Sequence, residues 1–360
     1  MKLSILLHGY FGMGNVGDEA ILSALIDEYR HLGYEPIALS ANPMRTMKLH
    51  GVRAYREKFS SPKFWAALVQ CSKLVFAGGG KYGIPTLRRL ALLTIIARVL
   101  GKDVEYRGVG LYPYNWHGGV TLYPKPPLDP LTKYQLKLAL RCAKRVTVRD
   151  IYSKKFIEGS IIDVEAPLEL DPALKLKPDI RTARRALEAL GLSTNDTILG
   201  LNLRFLKNSV FSNILYTIVK ALGTYLGVNK HIKVLYIPFG YGSTPERFFD
   251  DDIRIGHLVA KHLPDHVVNS QFCILEDELR PSIILGLFKF LKAIICVRYH
   301  ALVFAYMCRV PVLAIAYDTK VMEFAELMEK CGGGIRGLVV KPEDVSADLI
   351  LRFLRRHVWS

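Results

Sequence analysis

Short β-rich apolar runs alternate with segments of helical period along the whole of this chain. Such alternation points to parallel sheet covered by helices, because strands buried on both faces are apolar throughout and reach a parallel neighbour through a helical crossover. In the first half the expected strands are Lys2–Leu7, Glu35–Leu39, Lys73–Phe76, Val104–Val109 and Val146–Val148. Helices are expected between them at Glu19–Leu32, Pro85–Leu100 and Leu131–Ala143. The period lapses at Asp171-Pro172-Ala173-Leu174-Lys175-Leu176-Lys177-Pro178, which reads as a linker. Beyond it the alternation restarts, with strands near Thr197–Leu203, Lys233–Ile237, Phe272–Leu275, Ala293–Val297 and Val312–Ala316. The expected fold class is therefore α/β, in two similar halves with a central cleft. Residues 1–174 form the first domain and residues 175–341 the second. An amphipathic helix within residues 342–360 is expected to fold back towards the first domain.

At 360 residues the chain exceeds the size at which one hydrophobic core keeps growing, which agrees with two domains. No stretch reaches the roughly 18 uninterrupted apolar residues that cross a bilayer. The strongest run, Leu90 to Ala97, is bracketed by Arg88, Arg89 and Arg98 and fits a packed helix. Met1 to Leu7 begins basic and apolar, yet glycines and an acidic pair stand where a signal-peptide cleavage site would lie. A cytoplasmic protein is expected. The six cysteines, at 71, 142, 273, 296, 308 and 331, make no Cys-x-x-Cys pair, so buried free thiols are expected and no metal site. Forty-nine Lys and Arg against 33 Asp and Glu give a formal net charge of +16, a field that attracts anions. Phosphorylated metabolites and the anionic inner face of a membrane, as a peripheral contact, are the partners this allows. The basic residues are scattered and build no nucleic-acid module, so no nucleic-acid partner is expected.

Two strand ends carry chemistry in place of packing. The first is His8-Gly9-Tyr10-Phe11-Gly12-Met13-Gly14-Asn15-Val16-Gly17-Asp18-Glu19, a glycine loop opening a helix. Gly12-x-Gly14-x-x-Gly17 satisfies the dinucleotide fingerprint in letters. The second expected strand, however, ends Ala38-Leu39-Ser40-Ala41-Asn42, with no carboxylate to hold a ribose. Asp18 and Glu19 in the first helical turn would also repel a pyrophosphate. A substrate-lining loop formed by Gly12, Gly14, Asn15, Gly17 and Asp18 is favoured over NAD binding and over a plain acid-capped turn. Ala77-Gly78-Gly79-Gly80-Lys81 follows another strand. Gly78, Gly79 and Gly80 there make either an anion-binding nest of N–H groups or a flexible turn; Walker spacing is absent.

The other chemical strand end is Cys296-Val297-Arg298-Tyr299-His300. It sets an always-charged guanidinium two residues from the side chain that titrates near neutral pH. Arg149 and Arg204 repeat the placement of arginine just past an apolar strand, and Lys320 follows the strand end Tyr317-Asp318-Thr319. Open α/β sheets bind ligands outside the carboxyl ends of their strands, and guanidinium forks suit carboxylates and phosphates. No His-x-x-x-His or Glu-x-x-His pairing accompanies His300, so acid–base work is preferred to metal binding.

Taken in order, these motifs resemble the polysaccharide pyruvyl transferase family. The resemblance runs from Gly9-Tyr10-Phe11-Gly12 and Asn15-Val16-Gly17-Asp18-Glu19-Ala20-Ile21-Leu22 through Gly78-Gly79-Gly80 and Gly108-Val109-Gly110 with Pro113. It continues through Val148-Arg149-Asp150, Asp171-Pro172, Pro238-Phe239, Arg298-Tyr299-His300-Ala301-Leu302 and Tyr317-Asp318-Thr319-Lys320-Val321. The chain departs from the family at Lys81-Tyr82, where an acidic residue is common, and at Thr319, where proline is usual. The family implies two Rossmann-like domains arranged as in the GT-B glycosyltransferases, the first on the acceptor side and the second on the donor side. It further implies transfer of a carboxyvinyl-derived unit from phosphoenolpyruvate to sugar hydroxyls. The product is a pyruvate ketal on a cell-surface polysaccharide or lipid-linked glycan, formed with loss of phosphate and without a further cofactor. On this reading His300 and Arg298 are catalytic, with His300 as imidazolium protonating the donor's methylene carbon. Arg149, Arg204 and Lys320 join the glycine loops in binding substrate. The alternative keeps the fold and makes the chain a glycosyltransferase using a nucleotide sugar, with His300 or Arg298 steadying the leaving phosphate.

Overall fold

The ten expected strands all form, and they do so because the apolar runs that identify them are buried on both faces. The computed structural model describes residues 3–78, 83–111, 116–117, 120–121, 128–161, 164–206, 208–242 and 251–358. One sheet holds β1 (Ser4–His8), β2 (Glu35–Leu39), β3 (Arg53–Tyr55), β4 (Lys73–Ala77), β5 (Asp103–Val109) and β8 (Arg145–Val148) in the order β3-β2-β1-β4-β5-β8. The short strands β6 (Trp116–His117) and β7 (Val120–Thr121) pair with each other. A second sheet holds β9 (Thr197–Asn202), β10 (Ile232–Tyr236), β11 (Phe272–Ile274), β12 (Leu291–Cys296), β13 (Val312–Ile315) and β14 (Gly337–Val340) in the order β11-β10-β9-β12-β13-β14. Every pairing within the two six-stranded sheets is parallel. Ile5, Leu6 and Leu7 of β1 and Ala293, Ile294 and Ile295 of β12 are fully buried. Each sheet therefore reverses its strand order once, between β1 and β4 and between β9 and β12. A ligand crevice forms at such a reversal, because the two connections leave it on opposite faces.

Two edge strands, β3 and β14, have no counterpart in the sequence reading. Both are short and part-exposed, Arg53, Gly337 and Leu338 among their exposed residues, so neither carries an uninterrupted apolar run. Helix starts are better marked. Proline occupies the first helical position of Pro43–His50, Pro130–Cys142 and Pro281–Phe288, where its missing N–H costs nothing. Asn42 and Asp129 cap the first two of these by accepting from Arg45 and Thr132 N–H.

The chain divides into two compact units at Leu176, inside the expected linker. The amphipathic tail forms the expected helix. Helix Ala347–His357 buries Ile350, Phe353 and Leu354 and packs on helix Asn208–Val228 and β12, and Tyr225 donates a 3.3 Å bond to Leu354 O. Residues 342–360 thus belong to the second unit. An amphipathic period shows that a face is covered without showing which element covers it.

The first unit is pinned by a buried ionic network. Arg107 on β5, with a side chain only 4% exposed, bonds Glu169 at 2.7 Å and Glu28 at 2.9 Å. Tyr29 donates to Glu105 at 2.9 Å, and Lys73 and Glu105 form an ion pair. Burial pulls the Arg107 guanidinium down, but Glu169 and Glu28 more than offset this and hold it firmly charged. The network joins β4 and β5 to helix Val16–His31 and to the segment leading out of the unit. Breaking a buried pair on one side leaves the other charge uncompensated. Arg107→Met is accordingly expected to lose about 3–5 kcal/mol of stability, read as a fall in the urea midpoint.

Candidate functional site

In the first unit the glycine loop after β1 is built around its own carboxylate. Gly12 N–H donates to Glu19 Oε1 at 2.7 Å, and the other Glu19 oxygen meets His50 Nε2 at 2.7 Å with both side chains 2% exposed. Ser23 Oγ lies 3.1 Å from His50 Nδ1. Gly12 is glycine for two reasons: its φ is +74°, and a Cβ there would run into Ser40 Oγ and stand 2.7 Å from Asn42 N. Gly14 also has a positive φ, at +75°. Asn15 caps helix Val16–His31 by accepting from Gly17 N–H at 3.0 Å. Gly12 and Gly17 thus spend their N–H groups inside the loop, on Glu19 and Asn15. Asp18 does lie beside the second glycine loop. A Cβ on Gly78, whose φ is +68°, would stand 3.5 Å from Asp18 Oδ1. Gly79 and Gly80 lie outside the described residues.

Ionic pairs also stand at the ends of β1 and β8. His8, at the end of β1, has Nε2 2.7 Å from Glu57 Oε2, and Arg89 bonds the other Glu57 oxygen at 2.7 Å. Burial pushes the Glu57 carboxyl up, but the bonds from His8 and Arg89 outweigh it and hold the group below its ordinary range. Arg149 follows β8, with Nη1 3.3 Å from the buried carboxylate of Asp171. Asp171 in turn accepts from Ala173 N–H at 3.0 Å.

The second unit brings four of the predicted residues to one place, the ends of β9, β12 and β13. Arg298 is held rigidly: Nε donates to Asp252 Oδ2 at 2.9 Å and Nη2 to Oδ1 at 2.6 Å. Asp252 is fully buried and also accepts from Phe239 N–H at 3.0 Å. Burial pushes the Asp252 carboxyl up, against the pull of Arg298. Asn202, at the end of β9, accepts from Arg298 N–H at 3.0 Å and donates to Ile237 O at 2.8 Å. One amide side chain thus fastens the ends of β9, β10 and β12 together. His300 follows in the first turn of helix Tyr299–Cys308, buried, its ring edge-on to Tyr299 with centroids 4.8 Å apart.

Arg204 and Lys320 meet over Tyr317. Arg204 Nη1 donates to Tyr317 Oη at 3.0 Å, with its guanidinium 4.8 Å from the ring centroid. Lys320 Nζ lies 5.7 Å from that centroid and 5.5 Å from the Tyr299 ring. Asp318 caps helix Thr319–Lys330 by accepting from Lys320 N–H. Burial would raise the Tyr317 phenol, but Lys320, Arg204 and Arg298 outweigh it and bring its pKa down to about 8. Nothing local in the sequence gives Tyr317 a role of its own, and Asp252 carries no local signal at all.

Among the described residues no group of three or more His, Cys, Asp or Glu is placed to hold a metal, and no helix is long and apolar enough to cross a membrane. All six cysteines are free. Cys71 and Cys296 are buried as expected, whereas Cys331 is exposed.

The family model for polysaccharide pyruvyl transferase matches residues 15–319. That span takes in Asn15 to Glu19 at the end of the glycine loop, Arg298 and His300, and ends one residue before Lys320; Gly12 and Gly14 precede it. No curated protein matches the sequence significantly. Among solved structures, a glycosyltransferase from Rickettsia africae is 12% identical with a TM-score of 0.57, covering 99% of this chain and 88% of its own. Anabaena HepE in complex with UDP-glucose is 15% identical with a TM-score of 0.57, covering 98% of this chain and 89% of its own. The UDP-GlcNAc 2-epimerase of Methanocaldococcus jannaschii is 12% identical with a TM-score of 0.55, covering 100% of this chain and 93% of its own. At these identities the likeness is one of fold, and the fold is that of the GT-B glycosyltransferases.

Asp252→Asn removes one charge of the buried pair and leaves Arg298 without its carboxylate. It is expected to cost about 3–5 kcal/mol, measured by urea denaturation.

Proposed function

The chain belongs to the polysaccharide pyruvyl transferase family, and we propose that its donor is phosphoenolpyruvate, whose pyruvyl unit it transfers to two hydroxyls of a sugar with release of phosphate. One observation carries the reading. Arg204, Lys320, His300 and the Tyr317 hydroxyl gather at the strand ends beside the sheet's reversal. The carboxylates of that corner are committed, Asp252 to Arg298 and Asp318 to its helix. A cluster rich in cations and donors suits a small ligand made almost wholly of acceptors, and a phosphate joined to a carboxylate is such a ligand. The net charge of +16 draws it in.

In this mechanism the His300 imidazolium delivers a proton to the methylene carbon, and C2 becomes an oxocarbenium. A sugar hydroxyl adds to C2 and gives up its proton. The C2–O bond to phosphate then breaks, and the second hydroxyl closes the ketal with loss of its own proton. Of the two hydroxyl protons, one replaces that spent on the methyl group and the other leaves with phosphate. No oxidation occurs, so the chemistry calls for no redox cofactor. Asp18, beside the second glycine loop, is the residue of the first unit suited to accept hydrogen bonds from sugar hydroxyls.

The test is phosphate release and ketal formation from phosphoenolpyruvate and candidate acceptor glycans, lipid-linked and free, read by mass spectrometry. His300→Ala and His300→Gln are each expected to cut turnover about 10²–10⁴-fold while phosphoenolpyruvate still raises the melting temperature. Thermal stabilisation by UDP-glucose, with none by phosphoenolpyruvate and no phosphate released, would replace this reading with the nucleotide-sugar one.

A further inference from the structure

In the second-unit cluster, the hydrogen bonding of Tyr317 is lopsided. Its hydroxyl accepts from Arg204 Nη1 at 3.0 Å, and a guanidinium can only donate. The phenolic hydrogen therefore has to find an acceptor elsewhere. Among the described residues, the bond from Arg204 is the only hydrogen bond this hydroxyl makes. Tyr317 is nevertheless 9% exposed, so little water is at hand, and a buried donor without an acceptor costs free energy. Nor can its neighbour Lys320 supply one, because an ammonium has no lone pair to offer. The tyrosine hydrogen thus faces two cations, Arg204 and Lys320, and the ligand that would meet all three groups is an anion.

We propose that Tyr317 is a donor-binding residue whose hydroxyl gives its hydrogen to an anionic oxygen of the bound ligand, a phosphate oxygen of phosphoenolpyruvate on the reading above, completing a cradle with Arg204 and Lys320. This rests on that reading for the identity of the ligand and on the local geometry for the tyrosine. Arg204 has a double part, bonding Tyr317 Oη while lying 4.8 Å from its ring, so it sets the direction in which the phenol can donate.

The arrangement reports its own occupancy. Lys320, Arg204 and Arg298 favour the phenolate, against burial and Asp318, and bring the phenol's pKa to about 8. A bound anion reverses this balance. It neutralises the cations, repels a phenolate and takes a hydrogen bond that only the protonated phenol can give.

The experiment is a tyrosine-ionisation titration by ultraviolet difference absorbance on the full chain, alone, with inorganic phosphate and with phosphoenolpyruvate. The wild type is expected to show a component near 8 that rises by about one pH unit or more with either anion. Tyr317→Phe keeps the ring under Arg204 and is expected to lose that component and to bind both anions about tenfold or more weakly. The comparison of wild-type titrations with and without phosphate decides the matter even if the variant does not fold. A component that stays in place on anion binding, failure of the wild type to bind either anion, or undiminished affinity in a folded Tyr317→Phe overturns the proposal. The two readings fail separately. A phosphate-linked shift without turnover of phosphoenolpyruvate leaves the tyrosine standing and removes the reaction. Turnover with undiminished affinity in Tyr317→Phe does the opposite.

Discussion

The second unit's chemistry hangs on one buried ion pair. Asp252 takes two bonds from the Arg298 guanidinium and a third from Phe239 N–H, with no surface exposed to solvent. A carboxylate so far from water is tolerable only if nearly every lone pair is met, and here the bonds come from two separate connections. One is the loop after β10; the other is the turn from β12 into helix Tyr299–Cys308. The pair therefore fixes the helix start that carries His300. Asn202 repeats the fastening through the backbone, bonding Arg298 N–H and Ile237 O from the end of β9. Arg298, which looks from the sequence like a substrate ligand, spends two of its three nitrogens on this frame.

The two units share one topology and fill its reversal point with opposite chemistry. After β1 the glycine loop closes on Glu19, which takes the Gly12 N–H and is itself met by His50. A loop whose letters suggest phosphate binding has thus turned inward on a carboxylate, leaving Asp18 as the acid beside Gly78. After β9, β12 and β13 the corresponding place holds Arg204, Lys320, His300 and Tyr317. Fold alone would not have indicated this, since proteins of the same fold handle different reactions.

Much of this was legible in the chain itself. Apolar runs located ten strands because burial on both faces leaves no room for polar residues, and the lapse at Asp171–Pro178 located the boundary between units. The glycine loops and the Arg298–His300 pair were visible because a strand that ends at a ligand site must place its chemistry within a few residues of its last apolar position. β3 and β14 escaped because short edge strands need no apolar run. The C-terminal helix was recognised from its amphipathic period.

What the sequence by itself determined is local: the periods that make strands and helices, the prolines and caps that start them, and the residues that emerge at strand ends. Only the tertiary structure decided which of those residues are spoken for. Asp252 reaches Arg298 across 46 positions and His50 reaches Glu19 across 31, and both pairings exist because crossovers bring distant connections to the same end of a sheet. Tyr317 gained its importance in the same way, from Arg204 lying 113 positions earlier. A hydrogen bond depends on where the partner's atoms are in space, and sequence spacing encodes that only within an element, where period and rise are fixed.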